Sequence, residues 1–186
     1  MRTFIAIEVP EAIKTELARL QTELRKTGAE VVWAKPDNIH LTLRFLGEVE
    51  ERRLAELKQL CVETAAEFQP FTLRLKDIGY FPNFRQPRVV WVGLAGEMEV
   101  ARQLQKRLDA ELIARGFNQD DKPFKPHLSI GRMKSGKNIK PLVAKANLYA
   151  LPELAFEVGE IVLFQSELHP AGSRYTALAK SEFREN

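Results

Sequence analysis

Between residues 39 and 46 polar and apolar side chains alternate, with His40, Thr42 and Arg44 set against Leu41, Leu43 and Phe45. A β-strand sends successive side chains to opposite faces, so this segment buries one face and leaves the other polar. The same alternation returns at 71–79 and at 126–133. Strands buried on one face suit antiparallel sheets covered by helices on that face alone. An all-parallel sheet would demand nearly continuous apolar strands instead.

Other segments fill in this frame. Residues 3–9 are rich in β-formers and are closed by Pro10. Ile13, Leu17, Leu20 and Leu24 then recur at three- and four-residue steps, which predicts a helix from Glu11 to near Gly28. A short strand at 31–33 and a turn at 35–38 precede the strand at 39–46, which Gly47 is expected to end. Leu54, Leu57, Leu60 and Cys61 place a second helix over 51–68. The rhythm then repeats with a strand at 88–94, a helix at 98–115 carrying Leu104, Leu108 and Leu112, and a stop at Gly116. A polar loop at 118–126 leads into the strand at 126–133, and 135–138 is a turn. Residues 139–150 carry no decisive period. One strand near 155–164 and another at 175–180 complete the chain, with a turn at 169–172 that accounts for His169. The expectation is an α+β fold over residues 1–186.

Composition excludes more than it selects. The chain has 186 residues, 45% hydrophobic and 28% charged, with a net charge of +3, which suits a globular protein and permits an anionic ligand without requiring one. A single cysteine, Cys61, forbids an internal disulfide or a multi-cysteine metal site, and its place in a helix predicts a small buried side chain. Glu8 interrupts the N-terminus too early for a signal peptide, and no apolar run approaches the ~20 residues of a membrane span. A cytoplasmic protein with no membrane association is therefore expected, and nothing calls for an obligate partner, so the expected state is a monomer.

Two of the three histidines begin the pattern His–apolar–hydroxyl–apolar: His40-Leu41-Thr42-Leu43 and His127-Leu128-Ser129-Ile130. Allowing for strand alternation and for choice of the pattern after the fact, composition alone produces two such matches about 2% of the time. In a strand each histidine shares its face with the hydroxyl two residues on, while Leu41, Leu43, Leu128 and Ile130 anchor the other face in the core. Imidazole titrates near neutral pH, so two of them flanking a phosphorus suit base and acid for an in-line displacement. The hydroxyls of Thr42 and Ser129 can donate to non-bridging phosphoryl oxygens. No carboxylate lies two residues from either histidine and no third ligand is in sight, which disfavours zinc. The motifs stand 87 residues apart in a chain of 186, so an internal pseudo-repeat with one motif per lobe is the natural layout.

These motifs, with Phe45-Leu46-Gly47 after the first and Arg132 after the second, resemble the 2H phosphoesterase superfamily. Within it the chain is most similar to the RNA 2′,3′-cyclic phosphodiesterases, also called 2′-5′ RNA ligases. The resemblance runs nearly end to end, through Arg2-Thr3-Phe4-Ile5-Ala6-Ile7, Phe81-Pro82-Asn83, residues 88–93, Leu163-Phe164-Gln165-Ser166 and Gly172-Ser173-Arg174-Tyr175. Ser129 departs from the more usual threonine but keeps the hydroxyl. The resemblance implies a bilobal fold: two antiparallel sheets related by a pseudo-twofold flank a central cleft, with helices on the outer faces. It implies hydrolysis of a terminal RNA 2′,3′-cyclic phosphate to a 2′-phosphate, with 2′-5′ ligation as the related transesterification. Neither reaction would use a metal or nucleotide cofactor. Carried over, His40 is the proton donor to the leaving 3′-oxygen and His127 the proton acceptor from water, a division that spacing alone leaves open. Action on another small cyclic phosphate or cyclic nucleotide, and an RNA-binding module without catalysis, remain as alternatives.

Around the pair, Arg132 lies three residues past Ser129, on the wrong face of a regular strand. A bulge at Gly131 would return it to the histidine's face as a phosphate clamp. Alternation puts Arg44 on the face of His40 and Thr42, as a candidate substrate contact. Phe81, in a loop after Gly79, and Tyr175 are candidates for stacking a base. Lys122, Lys125, Lys134, Lys137 and Lys140 make the surroundings of the second motif basic.

Overall fold

The computed structural model describes residues 1–185. Nine strands and four α-helices follow in the order β1 (Arg2–Glu8), α1 (Glu11–Arg25), β2 (Val31–Trp33), β3 (His40–Glu48), α2 (Leu54–Ala65), β4 (Phe71–Phe81), β5 (Val89–Gly96), α3 (Met98–Ala114), β6 (His127–Met133), α4 (Ile139–Leu148), β7 (Ala155–Val158), β8 (Glu160–His169) and β9 (Gly172–Glu182). They form two antiparallel sheets, one ordered β3-β1-β8-β9 and the other β2-β6-β5-β4-β7.

One continuous core lies between the helices and the inner faces of both sheets. Leu17, Leu20 and Leu24 of α1, Leu57 and Leu60 of α2 and Leu104, Leu108 and Leu112 of α3 are fully buried there. Ile5, Ile7, Leu41, Leu73, Leu75 and Leu128 meet them from the strands. Burying one such side chain is worth about 1.5–3 kcal/mol, whereas the whole β-propensity scale spans about 1 kcal/mol, so burial decides which face of each strand turns inward. Cys61 is buried as expected.

The structure departs from the sequence expectation at several places. β3 does not stop at Gly47 but runs through it to Glu48; Gly47 has φ 68°, and the register against β1 shifts there. The helix expected over 51–68 begins as a 3₁₀ turn at Glu51–Arg53 and ends at Ala65. Residues 139–148, without a decisive period, form α4. The single strand expected near 155–164 is two strands parted by Gly159, and they belong to different sheets: β7 is an edge of the second and β8 a central strand of the first. Phe81 is the last residue of β4 and not part of a loop.

Each sheet carries one histidine segment, but the sheets do not divide the chain into halves. The first is assembled from the two ends of the chain and the second from its middle, with β2 crossing over to pair with β6. Helices cross over too: α1 reaches β6 through Gln21, and α3 reaches β3 through Asp109.

Candidate active site

His40 and His127 are the first residues of β3 and β6, and each is held in the same way. His40 Nδ1 lies 2.7 Å from the carbonyl oxygen of Asn38, and His127 Nδ1 lies 2.5 Å from that of Lys125. A carbonyl only accepts, so Nδ1 carries the proton and donates it. The lone pair of each neutral ring is thereby left on Nε2.

Their settings differ. His40 stacks on Phe4 with ring centroids 4.8 Å apart, and Tyr175 meets it edge-on at 5.3 Å. Phe4, Ala6, Val162 and Phe164 form a small apolar cluster on this outer face of the first sheet, with Tyr175 packed against it. Burial among these groups pushes the His40 imidazole down to about 4, partly offset by the Asn38 carbonyl and by Glu8. His127 is also shifted down by burial, with the Lys125 carbonyl opposing. Phe81 meets the His127 ring edge-on at 4.9 Å and Trp91 lies behind both. Trp91 can lie flat there because residue 79 is glycine: a Cβ at Gly79 would come within 2.2 Å of the indole ring.

β3 and β6 approach one another, and a cavity of about 1140 Å³ opens between the lobes. Thr42 lines it from one side and His127, Ser129, Arg132 and Phe81 from the other. His40 shares Thr42's face of β3, two residues before it, and is half-buried against Phe4, Phe164 and Tyr175.

Bulges decide what stands beside the hydroxyls. On β6, Ser129 pairs with Trp91 and Gly131 with Val90, so Ile130 is the extra residue. This is one residue from the expected position, and its effect is the expected one: Arg132 pairs with Val89 and returns to the face of His127 and Ser129. On β3, Thr42 pairs with Ala6 and Arg44 with Ile5, so Leu43 is the extra residue. Strict alternation is broken there, and Arg44 does not share the face of His40. It turns to the inner side, 5% exposed, where Nε donates to Asp109 Oδ1 at 2.7 Å and the other nitrogens donate to the carbonyls of Phe45 and Asn118. Arg44 thus ties the end of β3 to α3 and to the loop that overhangs the cavity.

Phe45, read from alternation as a core residue, is paired with Phe4 on the cleft face and is 62% exposed. It stands five residues past His40, as Arg132 stands five past His127. The cleft therefore has an aromatic residue on one side where the other side has a guanidinium. Sequence reasoning also missed Gln21. This buried amide donates to the carbonyls of Ile130, at 2.9 Å, and Ala34, at 2.8 Å, and so pins the bulge that turns Arg132 toward the cleft. The only signal for it was a polar residue on the apolar side of α1. Among the described residues no group of three or more His, Cys, Asp or Glu side chains is arranged to hold a metal, and no helix is long and apolar enough to cross a membrane.

Fold and cleft together define an α+β enzyme of the two-histidine phosphoesterase class. The chain belongs to the LigT-like phosphoesterases, whose sequence model matches it twice, over residues 7–91 and 92–175, with one histidine segment in each match. The RNA 2′,3′-cyclic phosphodiesterase of Methanothermobacter thermautotrophicus is 34% identical over 177 residues, 95% of each chain. A crystal structure from Thermus thermophilus superposes with a TM-score of 0.82 at 32% identity, covering 100% of this chain and 99% of that one. Escherichia coli LigT complexed with 3′-AMP does so with a TM-score of 0.76 at 28% identity, covering 98% and 97%.

Proposed function

We propose that this protein opens the 2′,3′-cyclic phosphate at the 3′ end of RNA, leaving a 2′-phosphate and a 3′-hydroxyl, by general acid–base catalysis between His40 and His127. The observation that carries this reading is the identical carbonyl lock on both rings, which leaves two Nε2 atoms free on strands that face one another. The name of the Methanothermobacter relative and the 3′-AMP bound by Escherichia coli LigT supply the substrate class.

In this mechanism water attacks phosphorus, His127 Nε2 takes a proton from it, and the P–O3′ bond breaks as His40 Nε2–H protonates O3′. Solvent then returns each ring to its starting state. Burial leaves both rings neutral in the free enzyme, so the division of roles follows the family resemblance and His40 acts as acid only after taking up a proton in the complex. The negative charge of the bound phosphate raises both rings and restores protonated His40 in the complex. Hydroxyls of Thr42 and Ser129 donate to the non-bridging oxygens, and Arg132 clamps the same group. Phe45 and Phe81 offer faces to the terminal base. A 5′-hydroxyl taking the place of water would give 2′-5′ ligation.

The test is product analysis with an oligonucleotide ending in a 2′,3′-cyclic phosphate. A 2′-phosphate is expected, and EDTA leaves the rate unchanged. His40→Ala and His127→Ala each lower turnover by about 10²–10⁴-fold while circular dichroism shows them folded. Near-normal turnover in either folded variant removes the two-histidine mechanism. Saturable binding without product favours the binding-module reading, and turnover of cyclic mononucleotides but not of RNA ends favours another cyclic phosphate as substrate.

A further inference from the structure

A second cleft, of about 740 Å³, opens beside the catalytic cavity between the loop that joins β4 to β5 and the loop that joins β6 to α4. Arg88 and Arg132 line both spaces, so the two adjoin there. Arg85, Lys134 and Lys140 complete a set of five cations along the second cleft, and no carboxylate lines it. Among the described residues none of the five forms an ion pair. Cations elsewhere commonly do: Arg107 pairs with Glu67 and Glu111, Arg115 with Glu63 and Glu111, and Lys180 with Glu8 and Glu160. Five like charges gathered in a concavity repel one another, the Glu30 carboxylate that accepts from the Ser135 hydroxyl not being itself part of the lining, and an anion placed among them relieves that repulsion.

The wall that presents them is ordered by its own hydrogen bonds. Arg88 N donates to the Phe81 carbonyl at 2.7 Å, and Met133 N donates to the Arg88 carbonyl at 2.9 Å, which fixes Arg88 across the ends of β4 and β6. Asn83 Oδ1 accepts from the backbone of Arg85 and of Gln86, each at 3.0 Å. Phe84, 58% exposed, lies beneath the Arg85 guanidinium, 5.7 Å from it, beside the cleft that Arg85 lines.

The rest of the catalytic cavity's wall differs. Away from Arg88 and Arg132, Glu48 is paired with the Met1 amino group, Glu50 with Arg52 and Arg53 with Glu56, while Asp120 and Asp121 offset Lys122 and Lys125, so the rest of that wall is close to neutral. A polyanion whose end lies in the cavity has one electrostatically favoured exit. We infer that the second cleft carries the 5′-ward phosphodiester backbone of the RNA whose cyclic end lies in the catalytic cavity. This assignment rests on the reading of that cavity as the site for a cyclic RNA end. It makes the protein an enzyme for RNA chains: a cyclic mononucleotide has no upstream phosphate and fills the catalytic cavity alone.

The experiment compares kcat/KM for a 2′,3′-cyclic mononucleotide and a cyclic-ended tetranucleotide across a salt series, in the wild type and in Arg85→Glu/Lys140→Glu, with folding checked by circular dichroism. In the wild type the tetranucleotide is favoured by about tenfold, and its log–log salt slope is steeper by about 1.4, two phosphates at about 0.7 each. The charge-reversed variant loses both the preference and the extra slope and keeps mononucleotide turnover. Equal rates and slopes for the two substrates in the wild type, or an undiminished preference in the variant, overturn the assignment. So does a variant that still hydrolyses the tetranucleotide normally but fails to join it to a strand with a 5′-hydroxyl end, since the cleft would then hold the second strand. Fluorescence anisotropy with a 5′-labelled, 3′-phosphorylated tetranucleotide reads the cleft independently of chemistry. If no cyclic phosphate is opened yet the variant loses this binding, the catalytic reading falls and the RNA path stands; equal binding by wild type and variant overturns the path.

Discussion

The lock shared by His40 and His127 fixes a tautomer, while the rings around them set how readily each takes a second proton. Both are shifted below the ordinary imidazole value of about 6.5, and the large displacement is that of His40, to about 4. A reaction that needs one ring protonated and the other neutral runs best midway between the two ionisations of the free enzyme. The expected outcome is a bell-shaped kcat/KM profile for a 2′,3′-cyclic mononucleotide whose maximum lies below pH 6.5, measured against a substrate phosphodiester that does not titrate in this range. Stability follows the same sign. The unfolded chain binds the His40 proton from pH 6.5 downward and the folded chain only near pH 4, so stability falls across that window and levels off below it. His40→Gln removes that part of the loss in urea titrations at pH 7 and pH 4.5. At this scale the histidine–hydroxyl pairing was legible, because residues two apart in a strand share a face whatever the fold. The aromatic enclosure of His40 was not, since Phe164 and Tyr175 come from strands at the far end of the chain.

Elements carry the next layer of the site, through one extra residue in each catalytic strand. Leu43 in β3 and Ile130 in β6 shift the register, and the shift turns Phe45 and Arg132 toward the cleft, while Arg44, which still lines the wall, is buried against Asp109 and the Asn118 carbonyl. Alternation read Arg44 and Phe45 on the wrong faces because a bulge inverts everything beyond it. Glycine at 131 hinted at the bulge of β6, and nothing in residues 39–46 hinted at that of β3. Each bulge is braced by a helix from the other side of the molecule, Gln21 of α1 on Ile130 and Asp109 of α3 on Arg44. Gln21→Leu leaves the Ala34 carbonyl without the amide donor and the Ile130 carbonyl with the Ala34 backbone N–H alone. A buried group left short of its partner costs about 1–3 kcal/mol, so urea unfolding should show a loss of that size. An unchanged midpoint would mean the bulge stands without its brace.

The whole molecule is threaded so that neither half of the chain closes a sheet. Residues 1–96 contain β1 and β3 but not β8 and β9, which complete the first sheet. They contain β2, β4 and β5 but not β6, which lies between β2 and β5 in the second. A fragment of residues 1–96 is therefore expected to show no cooperative urea transition by circular dichroism, and a sharp transition would mean that each repeat folds alone. What the sequence by itself determined was local. It determined the strand and helix periods, the two histidine–hydroxyl pairs, and the one-faced burial that calls for antiparallel sheets, because covalent geometry sets periods of 2 and 3.6 residues before any tertiary contact forms. Tertiary structure alone decided which strands share a sheet, where the register slips, how deeply His40 is enclosed and where unpaired cations gather beside the cleft. Each of those depends on partners tens of residues away, and long-range packing chooses among arrangements that the local pattern leaves equally open.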